Sequence, residues 1–161
     1  MRILIVADTH VPDFARKLPD AVLEDAARAD LVLHAGDVTS GPVLDELACL
    51  APVLCALGNN DGRDIEKRGA RKRIEADVGG VALAMVHIAG PANGRPARLR
   101  RWFPHARVVI FGHSHIPTVY EDEGVLFLNP GSPTWRRRQP FATFARLHLR
   151  RGRLEPELVT L

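Results

Sequence analysis

Apolar residues along this chain gather into five short runs, each rich in Val, Ile or Leu and each closed by polar residues or glycine. They are ILIVA at 3–7, LVLHA at 31–35, PVLCAL at 52–57, VALAMV at 81–86 and RVVIF at 107–111. Unbroken runs of this length, without an alternating polar face, predict strands buried on both sides. Between the first three, PDAVLEDAARA and GPVLDELACL repeat apolar residues at helical spacing, with Pro19 to open the first helix and Ser40 to cap the second. Strand and helix alternating in this way predict parallel strands joined by right-handed crossovers.

After Asp61 the pattern changes. RKRIEADVGGVALAMVH predicts two strands around a Gly79-Gly80 turn, and a helix is expected over Arg95 to Phe103. PTVYED and GVLFLN form a second short-turn hairpin, and the tail from Phe141 to Leu161 alternates around Arg151-Gly152 as a third. The expectation is an α/β (α+β) fold of two facing mixed β-sheets flanked by helices, in one domain over residues 1–161. No repeat, low-complexity segment or linker divides it.

With 161 residues, 46% of them hydrophobic, the chain can bury a substantial core. Its longest apolar run, Val81 to Val86, is too short to span a bilayer, and the N-terminal run meets Asp8 too early for a secretory signal. A cytoplasmic protein without membrane contact is expected. Cys49 and Cys55 lack CxxC spacing and lie in apolar stretches, which predicts two buried free thiols. Charge is uneven: residues 1–61 hold ten Asp/Glu against four Lys/Arg, a net of −6, and residues 62–161 hold nine against eighteen, a net of +9. An acidic half can supply metal ligands and a basic half can meet an anion, although runs such as Arg136 to Arg138 commonly form solvated faces.

The informative residues are those that end the five strands. ILIVA runs into Asp8-Thr9-His10, LVLHA into Gly36-Asp37, PVLCAL into Gly58-Asn59-Asn60-Asp61, VALAMV into His87, and RVVIF into Gly112-His113-Ser114-His115. In open α/β sheets the carboxyl ends of parallel strands border the ligand crevice, so these residues can converge. Imidazoles, carboxylates and an amide without thiolate suit Mn, Fe, Zn or a similar ion. Asp8, His10, Asp37, Asn59, His87, His113 and His115 are too many donors for one ion with an open position, and about right for two ions sharing a carboxylate. Singly, each has a plainer explanation: Asp8 and Asp37 can cap helices, Asn59 can serve a turn, and His87 can sit in the core on a backbone hydrogen bond. His34 looks inward just before Gly36-Asp37 and is expected to support the ligands from behind. His105 and His148 are expected at the surface. Gly112 is expected to let the strand end turn sharply.

The ordered set D-x-H, G-D, G-N-x-D, H and G-H-x-H resembles the calcineurin-like metallophosphoesterase superfamily, and SHIP at 114–117 with NPGS at Asn129 to Ser132 resembles its compact bacterial and archaeal phosphodiesterase branch. The resemblance implies a four-layer sandwich of two facing sheets between helices. It implies two divalent metal ions, with Asp8, His10 and His115 on one, Asn59, His87 and His113 on the other, and Asp37 bridging. Manganese is the first expectation, with iron, nickel or zinc as alternatives. The implied reaction is attack on phosphorus by a hydroxide shared between ions about 3.5 to 4 Å apart.

Two positions depart from the family pattern. Asn60 stands where many members have a His that protonates the leaving oxygen; an amide can donate a hydrogen bond but not a proton. Family members lacking that His resemble phosphodiesterases with little monoesterase activity, so the resemblance implies a small phosphodiester substrate, cyclic or linear, rather than a monoester, with Asp61 orienting the site. The segment VHIAG also lacks the second His of an H-G-H pattern, which removes a substrate contact. The alternatives are a phosphomonoesterase of the same fold and a non-catalytic scaffold, since the family includes a retromer scaffold subunit. A nucleic-acid substrate or ligand is possible from the basic half, but no aromatic-interleaved motif supports it. Arg63, Arg136 and Arg137 are candidate substrate contacts, and a homo-oligomer is compatible with the chain.

Overall fold

In the computed structural model, which describes residues 1–161, the first half runs β1 (Arg2–Val6), α1 (Asp20–Ala26), β2 (Leu31–His34), α2 (Gly41–Ala48), β3 (Val53–Cys55) and a short α3 (Arg63–Lys67). The second half runs β4 (Arg73–Val78), β5 (Val81–Val86), α4 (Arg95–Trp102), β6 (Val108–Phe111), β7 (Thr118–Asp122), β8 (Val125–Asn129), β9 (Thr143–Arg150) and β10 (Arg153–Thr160). Two five-stranded mixed sheets result, ordered β10-β9-β1-β2-β3 and β4-β5-β6-β8-β7. In each, the parallel strands are central or continue to one edge, and antiparallel strands complete it.

Side chains alternating along the strands assign themselves to different layers. Ile3, Ile5 and Ala7 of the β1 segment, with Val108 and Ile110 of β6, point into a core between the two sheets. Leu4 and Val6 point the other way, onto Val22, Leu44, Leu47 and Ile65 of the first three helices. Val109 and Phe111 meet Leu99 of α4 and Phe103 just beyond it. The order is therefore helices, sheet, sheet, helix, the four-layer arrangement expected. No helix is long and apolar enough to cross a membrane.

Register decides where the loops emerge. Val6 lies beside His34 and His34 beside Cys55, while Val86 lies beside Phe111. Parallel strands in step deliver their following loops to one edge. All three expected hairpins form, and each turn has two left-handed residues: Gly79-Gly80, Glu123-Gly124 and Arg151-Gly152. That is the backbone whose twist matches paired antiparallel strands.

Several local expectations need correction. Cys55 is buried but Cys49 is exposed, because it follows the last turn of α2 on the solvent side. Ser40 occupies the N-cap position of α2 without a side-chain cap bond; instead Asp64 Oδ2 accepts the Gly41 N–H at 3.0 Å. The cap thus comes from α3, which sequence patterning did not reveal. PVLCAL shortens to a three-residue β3, followed by a single bridge from Ala56 to Arg71.

Candidate metal centre

The loops leaving β1, β2, β3, β5 and β6 meet at one edge, and their backbone there is unusual. Asp8, His10, Asp37, His113 and His115 all adopt left-handed conformations, with φ of 54°, 42°, 56°, 69° and 58°. For residues with a Cβ this costs about 1–2 kcal/mol each, and it persists only where the surroundings impose it. Neither Asp8 nor Asp37 caps a helix. Gly112 is not among the left-handed residues, so the sharp turn belongs to His113 and His115. What Gly112 supplies is space: a Cβ there would lie 3.0 Å from the Ala35 carbonyl and from Asp8 Oδ2. Gly58 is tighter still, since its Cβ would fall 2.1 Å from the Asp37 backbone nitrogen.

The side chains form two adjoining clusters, Asp8 with His10 and His115, and Asp37 with His87 and His113. Asp37 Oδ2 lies between them, 3.6 Å from His10 Nε2 and 3.3 Å from His87 Nε2. Asn59 Oδ1 is 3.2 Å from His87 Nε2. His115 Nε2 is 3.2 Å from Asp8 Oδ1. These separations match the edges of a coordination shell whose metal–ligand distances are about 2.1 Å.

The tautomers sharpen this geometry. His87 Nδ1 lies 2.7 Å from the Ala35 carbonyl and His115 Nδ1 lies 2.6 Å from the Trp135 carbonyl; a carbonyl only accepts, so both rings carry a proton on Nδ1. Their Nε2 lone pairs then face oxygens that are also acceptors. Asp8 Oδ1, His10 Nε2, His113 Nδ1 and His115 Nε2 are buried without any hydrogen-bond partner. Buried acceptors aimed at one another are unfavourable unless a cation lies among them. The donor chemistry, nitrogen and oxygen, fits divalent ions.

Electrostatics act in the same sense on His10 and His113, and in the opposite sense on His87. Burial of His10 disfavours its charged form and lowers its pKa, although Asp37 and Asp8 pull the other way. His113 is lowered by burial and by the neighbouring His87. Burial raises the pKa of Asp37, but the neighbouring His87 and hydrogen bonds from the Asn60 backbone and side chain outweigh it and hold the carboxyl below the usual range. For His87 burial again opposes charge, but Asp37 and Asp8 outweigh it and raise the pKa.

Behind the donors sits a frame of hydrogen bonds. Asp61 Oδ2 accepts the Asp37 N–H (3.0 Å) and the Gly58 N–H (2.7 Å), and its Oδ1 accepts the Thr39 N–H (2.8 Å). Asn60 donates from its backbone to Asp37 Oδ1 (2.9 Å) and from Nδ2 to Asp37 Oδ2 (2.7 Å). His34, wholly buried, holds Gly36 and Thr9. Asn129 donates to the Gly112 carbonyl at 3.0 Å, and the Ser132 hydroxyl donates to the Asp8 carbonyl at 2.7 Å.

Sequence reasoning missed an aromatic wall. Trp135 packs edge-on to His10 and His115 with centroids at 5.2 and 5.0 Å, and Phe14 stacks on Trp135 at 3.6 Å. The one available signal was the position of Trp135 just after NPGS. Of the candidate arginines, Arg137 lies over Trp135 and reaches toward the His113 carbonyl at 3.4 Å, Arg136 folds back onto the Gln139 carbonyl, and Arg63 begins α3. His105 is exposed and His148 half-buried.

The chain is similar to known proteins. The sequence pattern of the calcineurin-like phosphoesterase superfamily domain matches residues 1–152. A probable metallophosphoesterase of Methanothermobacter thermautotrophicus is 39% identical over 136 residues, covering 83% of this chain and 78% of its own. Among solved structures, Entamoeba histolytica Vps29 complexed with zinc matches with a TM-score of 0.79 at 23% identity, over 99% of each chain. A novel archaeal phosphodiesterase matches with a TM-score of 0.75 at 22% identity, over 99% of this chain and 100% of its own. At such identities the two structures speak for the fold alone.

Proposed function

This chain belongs to the calcineurin-like phosphoesterase superfamily, a family of metal-dependent phosphoric ester hydrolases, and on that footing we propose that it is a phosphodiesterase working through two divalent metals. The observation that carries the reading is the convergence of two His/Asp clusters, Asp8 with His10 and His115 and Asp37 with His87 and His113, in which Asp8 Oδ1, His10 Nε2, His113 Nδ1 and His115 Nε2 are buried without a hydrogen-bond partner. Asp8, His10 and His115 would hold one ion, Asn59, His87 and His113 the other, and Asp37 both. When bound, the ions supply Lewis acidity for a water nucleophile and neutralise the phosphate as charge builds in line. Manganese is the first candidate for both positions.

The chain's own residues then set what can be cleaved. The new P–O bond comes from water, and the P–O bond to the leaving alcohol breaks. Asn60 has one amide N–H on Asp37 and a second free to hydrogen-bond a phosphate or leaving oxygen, but it has no proton to give. The leaving oxygen must therefore take its proton from solvent, which suits good leaving groups. Asp61 spends both carboxylate oxygens on backbone N–H groups and acts by holding Asp37 and Gly58 in place.

Chelator-treated protein reloaded with manganese should bind about two ions per chain and cleave bis-p-nitrophenyl phosphate faster than p-nitrophenyl phosphate. Faster monoester cleavage would overturn the diester assignment. Metal binding without turnover of either ester would favour the scaffold reading, to which the fold likeness with Vps29 lends support.

A further inference from the structure

Beside the His113–His115 loop lies a groove of about 380 Å³ lined by Ser114, Ile116, Trp135, Arg137, Arg138 and Gln139. Its size falls in the range of small-ligand clefts, about 300–1,000 Å³. One wall is apolar: Ile116 is 49% exposed and Trp135 presents part of its indole. The other wall is cationic. Arg137 and Arg138 form no ion pair, unlike Arg2, Arg68, Arg100, Arg146 and Arg150. The Arg137 guanidinium lies 4.6 Å over the Trp135 ring.

The groove and the donor set are mechanically one piece. The Trp135 carbonyl accepts the His115 N–H, its ring abuts His10 and His115, and its backbone N–H donates to Ser132 Oγ at 2.9 Å. A phosphodiester seated on the donors would extend one ester arm along this groove. Phe14 and Arg137 cover the faces of Trp135, so a base finds its apolar contact at Ile116 and the indole rim, and guanidinium groups prefer a phosphate, whose oxygens they can meet bidentately. A cyclic mononucleotide has no arm to reach the arginines.

We propose that this groove is the subsite for one arm of a linear nucleotide diester that carries a further phosphate, with the base against Ile116 and the rim of Trp135 and the phosphate at Arg137 and Arg138. The proposal rests on the phosphodiesterase reading. It is tested with the full chain loaded with manganese, by comparing kcat/KM for a 5′-phosphorylated thymidine dinucleotide, a 2′,3′-cyclic nucleotide and bis-p-nitrophenyl phosphate. The wild-type chain should prefer the phosphorylated dinucleotide to the cyclic nucleotide. An Arg137→Ala/Arg138→Ala variant should lose at least about tenfold more on the dinucleotide than on bis-p-nitrophenyl phosphate, chiefly in KM. An Arg138→Lys change in the Arg137→Ala background should recover part of it. Both arginines are exposed, so a matching thermal midpoint checks that the variants fold. Equal losses on the two substrates, or a wild-type preference for the cyclic nucleotide, would overturn the subsite alone. Failure of the wild-type chain to cleave any diester would overturn the phosphodiesterase reading with it.

Discussion

His34 shows how a single buried residue ties protonation to the shape of the centre. The Gly36 N–H donates to His34 Nδ1 at 3.2 Å, which leaves Nε2–H to donate to Thr9 Oγ1 at 3.0 Å. Both bonds need the neutral ring, protonated on Nε2. Burial favours that form and lowers the pKa from 6.5 to about 4, with Asp61 pulling upward and His87 pushing down. Between those two values the unfolded chain binds more protons at this site than the folded one. Stability from His34 is therefore complete above about pH 6.5 and declines as pH falls toward 4, by at most about 1.4 kcal/mol per pH unit. Urea midpoints of chelator-treated protein at about pH 7.5 and 5 test this. His34→Gln should be less stable at the higher pH and show a shallower fall to the lower one. An unchanged slope would mean that other groups carry the pH dependence.

Between elements, the centre is held by acidic side chains that join one loop to another. Asp61 takes three backbone N–H groups, two from the β2–α2 loop and one from the loop after β3. Asp61→Ala would strand these donors and release the tight Gly58–Asp37 approach, costing about 2–5 kcal/mol. Asp61→Asn keeps one acceptor oxygen and should recover part of that; urea unfolding measures both. A cost under about 0.5 kcal/mol, the level of an ordinary surface change, would show that the loops hold their shape without Asp61. Asp64 plays the smaller analogous part at the start of α2. The resemblance marked Asp61 as the residue that orients the site, but its three partners and the Asp64 joint were not legible in the sequence, whereas the strands they connect were. Runs like VALAMV declare a buried strand by composition, and Gly79-Gly80 declares the turn before it. α3 has five residues and one buried apolar side chain, Ile65, so it has no period to detect. The capping of α2 by Asp64 rather than Ser40 is likewise a tertiary event that local spacing does not encode.

Across the whole molecule, the two sheets contribute unlike halves of the centre. β1, β2 and β3 lead into Asp8, His10, Asp37 and Asn59, while β5 and β6 lead into His87, His113 and His115. This division was visible as an acidic first half with polar residues at successive strand ends. The wall of Phe14 and Trp135 was not, because the two come from opposite ends of the chain and neither marks a strand end. A cation shared by these donors binds across the sheet–sheet interface, so unfolding must release it. At free metal a thousandfold above Kd, one ion adds about 4 kcal/mol. For a chain of this size each kcal/mol shifts Tm by about 2–4 °C, so reloading chelator-treated protein with manganese should raise Tm by about 8–16 °C. Position within the cluster predicts how variants divide that gain. His10→Ala removes a donor from one group and should keep part of the rise. Asp37→Ala removes the carboxylate that lies 3.6 Å from His10 and 3.3 Å from His87, and should abolish most of it. Equal residual shifts in the two variants would mean that Asp37 serves one ion only. A wild-type shift below about 2 °C, well under the increment from one tightly held ion, would mean that metal does not fasten the sheets together.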